Sequence, residues 1–122
     1  MSKALLEKYQ CQVTPGTEDD TYGGAHNYVA KNCLGFHDGE TVYTDSVEEI
    51  SFIKKNDDGT IEAGFQSEQL LAILIDRHEK LNARFPSDHG EAAILRMKQA
   101  LLSLQARVAE RKARGVMGEL KK

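Results

Sequence analysis

The chain has 122 residues, is 40% hydrophobic and 29% charged, and carries a formal net charge of −3. This bounds it to one small domain, or one with an appended element, and excludes a disordered or fibrous protein. Residues 1–95 hold eight Lys or Arg against 17 Asp or Glu, whereas residues 96–122 hold eight against two, so a general nucleic-acid binder with a broad positive field is excluded. An acidic body with one basic terminal segment fits a confined anionic ligand, or an acidic patch on another subunit. No apolar run approaches the roughly 20 residues needed to cross a bilayer, and the opening MSKALLEKYQ has no signal-peptide core. A cytoplasmic protein with Cys11 and Cys33 reduced is the expectation.

In chain order, Leu5 and Leu6 open an amphipathic element, and Tyr9, Cys11 and Val13 alternate with polar residues as an edge strand does. Pro15-Gly16 breaks it, and the polar, acidic stretch at residues 17–24 reads as a loop. His26, Tyr28 and Ala30 alternate through a second strand that Gly35 and the Asp38-Gly39 turn end. Thr41-Val42-Tyr43-Thr44 is the next strand, residues 45–48 a turn, and residues 50–54 (ISFIK) the strand richest in β-branched and aromatic residues. Asp58-Gly59 signals a tight turn into a return strand at Thr60-Ile61.

From Ser67 the period changes. Leu71, Leu74, His78 and Leu81, then Ile94, Met97, Leu101, Leu104 and Val108, recur at spacings of three and four, the period of an apolar helical stripe. Ser67 is the expected cap of the first helix, Pro86 its stop, and Asp88 with Glu91 a capping box for the second. Gly115 fits the left-handed residue that closes a helix. The predicted fold is therefore α+β: a small N-terminal antiparallel β-sheet over residues 1–66, then a two-helix antiparallel hairpin with a basic tail over residues 67–122. Leu70, Ile73, Ile75, Leu95 and Leu102 add more apolar surface than one partner helix covers. The surplus is expected to meet the N-terminal half or another copy of the chain.

Catalytic signatures are weak. Cys33 with His26 or His37 has no catalytic spacing and reads first as a buried structural cysteine. His26, His37, Cys33 and Asp38 lack the short paired spacing of a zinc site, and no phosphate-binding or dinucleotide glycine loop is present. No metal and no cofactor are expected, and the chain reads as a binder. Its strongest constellation is Arg107, Arg111 and Arg114 on one helical face, followed by Gly115 and Gly118. Guanidinium forks match phosphate oxygens, and glycines past a helix end let backbone N–H groups approach an anion. The plainer reading is a set of basic residues complementing the helix dipole. A second cluster sits between the helices, where Asn82, Arg84 and Phe85 are placed to stack on a base and read its edge. The alternative there is Phe85 as a hydrophobic plug.

LLAILIDRHEKL followed by ALLSLQARVAERKARGVMG resembles the helical hairpin shared by two groups of phage proteins, the Thoeris anti-defence sponges and the anti-CBASS cyclic-nucleotide sponges. Gly24-Ala25-His26-Asn27-Tyr28 and Ile50-Ser51-Phe52 fall where similar segments fall in the Thoeris type. The resemblance implies a protein of the infected bacterial cytoplasm that binds cyclic ADP-ribose isomers made by TIR-domain proteins, or cyclic dinucleotides, without degrading them. It implies homodimers or hexamers with ligand sites between subunits, carried by Arg107, Arg111, Arg114, Gly115 and Gly118, by Asn82, Arg84 and Phe85, and by His26. Glu119 stands where relatives that bind cyclic trinucleotides tend to have a small hydroxyl residue, which argues against that activity. The alternatives are a small structural or regulatory protein-interaction module and, behind it, a nucleotide hydrolase.

Overall fold

The computed structural model of the chain describes residues 12–20 and 22–115. Its architecture is α+β, and the chain divides into two compact units, Met1–Phe65 and Gln66–Lys122. The element expected around Leu5 and Leu6, Cys11, and the glycine at position 118 lie outside the described residues.

The first unit carries, in order, β1 (Gln12–Pro15), β2 (Glu18–Asp19), β3 (Gly24–Ala25), β4 (Asn27–His37), β5 (Glu40–Ser51), β6 (Lys54–Lys55) and β7 (Ile61–Glu62). A three-stranded antiparallel sheet runs β1-β4-β5. Pro15 is the last residue of the edge strand β1, a position where its missing N–H costs no ladder bond. The predicted turn at residues 45–48 is absent, because β5 is continuous. Tyr43 pairs with Cys33 and Val47 with Lys31, so β5 spends four residues where β4 spends two. The excess at Thr44-Asp45-Ser46 is a bulge, held by the Thr44 hydroxyl donating to the Ser46 carbonyl at 2.9 Å. Gly35 likewise marks a register shift inside β4 rather than its end. Cys33 is exposed, contrary to the buried role expected of it.

The stretch predicted as one strand at residues 50–54 divides. β5 stops at Ser51, and Phe52 forms a parallel bridge with Phe65. Ile53 N–H donates to the Phe65 carbonyl at 3.0 Å, and Phe65 N–H to the Ser51 carbonyl at 2.8 Å. Two short ribbons complete the unit. β2 pairs with β3 where a loop was expected, and β6 pairs with β7 across the Asp58-Gly59 turn. In that turn the Thr60 hydroxyl, then its amide, donate to the Asp58 carboxylate and hold its pKa below the ordinary value.

The second unit is the hairpin of α1 (Ser67–Arg84) and α2 (Asp88–Ala113). Both N-caps fall one residue earlier than the capping signals suggest. Gln66 is extended and its N–H donates to Gln69 Oε1 at 2.8 Å, and Ser87 Oγ accepts from Gly90 N–H at 2.9 Å. Asp88 and Glu91 instead place negative charge in the first turn of α2, where the dipole favours it. Pro86 ends α1 as predicted, with Phe85 outside helical geometry.

On α2 the predicted stripe Ile94, Met97, Leu101, Leu104 and Val108 is half-buried. On α1 the buried residue is Ile75, flanked by half-buried Leu71, His78 and Asn82, while Leu74 and Leu81 are more exposed. The α1 seam therefore runs one column over from the expected one. A Lys98–Glu79 ion pair at 3.1 Å crosses the hairpin but, being half-exposed, contributes at most about 1 kcal/mol. Among the described residues the buried apolar side chains are Ala25 and Ile75, so both cores are shallow.

Candidate functional site

The three arginines of α2, equivalent by spacing, have different surroundings. Arg107 is exposed. Arg111 is only 6% exposed and is engaged by partners. Arg114 caps α2 and pairs through Nε with the Glu110 carboxylate one turn back. Gly115 adopts φ +71°, the left-handed closure that glycine makes without a Cβ penalty. Its N–H donates to the Lys112 carbonyl at 3.0 Å, so this amide serves the helix end rather than an anion.

At the other end of the hairpin, Asn82 is part of the scaffold. Its side-chain oxygen accepts from Ser87 N–H at 3.0 Å, and a Cβ at position 90 would stand 2.5 Å from that same oxygen. Glycine at 90 thus lets the loop close tightly over Asn82. Phe85 is 70% exposed and is not a plug. The Arg84 guanidinium lies 5.8 Å from the centre of its ring, a cation–π pair presented to solvent. Arg107 is 19 residues along α2 from Asp88, or about 28 Å at the rise of an α-helix. Within one chain, the aromatic tip and the arginine end cannot reach the same small ligand.

His26 belongs to the first unit and lines a cleft of about 400 Å³ between the two short ribbons. Asp19 is central there: its carboxylate lies 3.2 Å from Lys54 Nζ and 3.6 Å from His26 Nε2. The Tyr22 ring packs against His26 at 4.8 Å between centroids, and its hydroxyl donates to the Ala25 carbonyl at 2.6 Å. Burial, then Tyr28 and Asp19, push the Tyr22 pKa up. His26 and His37 flank opposite ends of β4, and His37 instead faces Asp38 at the exposed hairpin turn. They form no joint cluster with Cys33. Asp19, Lys54 and Glu62 were not singled out from the sequence. Asp19 and Lys54 have no local motif and meet only because β2 and β6 fold to the same edge.

The hairpin thus presents two candidate ligand-contacting ends, and the β unit a third place, around His26. No protein-family model matches the chain, and no curated protein matches its sequence.

Proposed function

We propose that this chain is a phage anti-defence sponge that binds cyclic ADP-ribose isomers, or related cyclic dinucleotides, and sequesters them without cleavage in the infected bacterial cell. The observation that carries the reading is the exposed Arg84–Phe85 pair at one end of the hairpin with exposed Arg107 at the other. Phe85 supplies a face for a base, and the guanidinium groups supply forks for phosphate. Their separation along α2 requires that a complete site use the tip of one copy and the arginine end of another.

Ile73, Leu95 and Leu102, exposed at 58%, 57% and 65%, supply the apolar surface for such self-association. Sedimentation of the full chain is expected to give a dimer or a larger closed assembly. A clean monomer at micromolar concentration contradicts an intersubunit site. The same surface also favours the second reading, a protein-interaction module, and a ligand-depletion assay separates the two. A sponge removes the nucleotide from solution and returns it intact on heat denaturation, a hydrolase returns product, and an interaction module depletes nothing.

Because Phe85 is 70% exposed and its ring meets Arg84 at the surface, Phe85→Ala is expected to leave the melting temperature near that of the parent. Binding is expected to weaken by about 1–3 kcal/mol, the range for base–aromatic stacking. Calorimetry with thermal melting checks both. A melting loss with unchanged binding contradicts the assignment.

A further inference from the structure

We propose that the cleft in the β unit is a binding site for a neutral, hydroxyl-rich ring: a free sugar, or the ribose of a nucleoside. The inference is independent of the hairpin arginines. The cleft's two walls are the β2/β3 and β6/β7 ribbons, and Asp19 ties them together through Lys54, with His26 on its other side. The Asp19 side chain is 14% exposed and its charge is balanced in place, so this link acts as a rigid strut. The Asn27–Ser51 pair at the end of β4 and β5 also lines the cleft. Its amide and hydroxyl are donors as well as acceptors.

The remaining charges choose the ligand. Glu18 stands on one wall, and Glu62, directly across from Lys54 in the β6/β7 register, stands on the other. Carboxylates on both walls repel phosphate and carboxylate ligands, while Lys54 is already neutralised by Asp19. A lining this polar gains nothing from a hydrocarbon. Hydroxyl groups fit, because they donate to carboxylates and accept from an amide or ammonium in the same pose. Carboxylate recognition of ribose hydroxyls is established chemistry in dinucleotide-binding folds. Phe52, half-buried and held edge-on against Tyr28 at 5.8 Å, offers an apolar surface to the C–H face of a ring. A volume of about 400 Å³ suits a ligand of this size.

The test is an amide NMR titration of the full chain with D-ribose, adenosine and 2′,3′-dideoxyadenosine. Ribose or adenosine is expected to shift the amide resonances of His26, Asn27 and Phe52 saturably, at millimolar affinity or tighter. Dideoxyadenosine is expected to bind about tenfold more weakly, as is either good ligand to Glu62→Gln or Glu18→Gln. Both glutamates are exposed, so an otherwise unchanged spectrum certifies the fold. Equal binding of ribose and adenosine identifies a sugar site, and tighter adenosine a nucleoside site. Arg107→Ala and Phe85→Ala are expected to leave these shifts unchanged, which separates this site from the hairpin's. The proposal is overturned if no probe shifts the cleft saturably, if dideoxyadenosine matches adenosine, if the glutamine variants bind like the parent, or if the shifts map to the hairpin alone.

Discussion

Arg111→Ala is expected to destabilise the protein by about 1–3 kcal/mol, the cost of removing one side of a buried polar contact. Arg111 is the one buried charged residue among those described, and it is engaged rather than free. Truncation removes that engagement and the packing of its three-carbon stem. Total stabilities of small domains are about 5–15 kcal/mol, so the loss is a large fraction of the whole. Arg107→Ala, four residues earlier on an exposed position, is expected to change stability by less than about 0.5 kcal/mol. Denaturant unfolding of the two variants side by side checks the contrast. If Arg111→Ala unfolds with the parent's midpoint, the buried guanidinium is not structural. The two arginines would then be interchangeable, as their spacing alone suggests.

Gly64→Ala is expected to cost about 3 kcal/mol, at the upper end of overpacking penalties. A Cβ at position 64 would stand 2.4 Å from the Phe52 carbonyl carbon, 2.6 Å from Ile53 N and 2.7 Å from the Phe52 oxygen. All three are backbone atoms and cannot swing aside as a side chain does. They belong to the segment where Phe52 bridges Phe65, so relief means breaking the hydrogen bonds that hold Phe65 to Ser51 and Ile53. Lys54 follows directly in sequence, so the same strain reaches the strut to Asp19. Thermal melting reads the loss. Parent-like stability would mean that this backbone crossing is looser than its geometry.

The hairpin was legible because a 3.6-residue period repeats over many turns and Pro86 interrupts it once. The seam was misplaced by one column on α1 because Leu74 and Ile75 are equally apolar. Only packing against α2 decides that Ile75 goes inside. Asp45-Ser46 carries turn chemistry in sequence, yet β4 supplies ladder partners on both sides of it, so the excess residues became a bulge. Likewise Ser67 and Asp88 are good caps in isolation, and Gln66 and Ser87 took the role because the chain is extended one residue earlier. The arginine face could be read from spacing, but not its inequality, since burial of Arg111 is a tertiary property. Of the cleft's residues His26 alone was singled out from the sequence as a site residue, because its members come from β2, the β3–β4 junction, β5, β6 and β7, each contributing one or two residues.

The central claim is that the hairpin captures a cyclic nucleotide through its exposed arginine and aromatic ends. Calorimetry of the full chain and of Arg107→Ala against cyclic ADP-ribose isomers and cyclic dinucleotides tests it most directly. At least one of these ligands is expected to bind the parent. Arg107→Ala is expected to weaken that binding about ten- to a hundredfold, the cost of one charge-assisted hydrogen bond, with no change in folding. Absence of binding by every candidate, or binding of Arg107→Ala equal to the parent's, contradicts it.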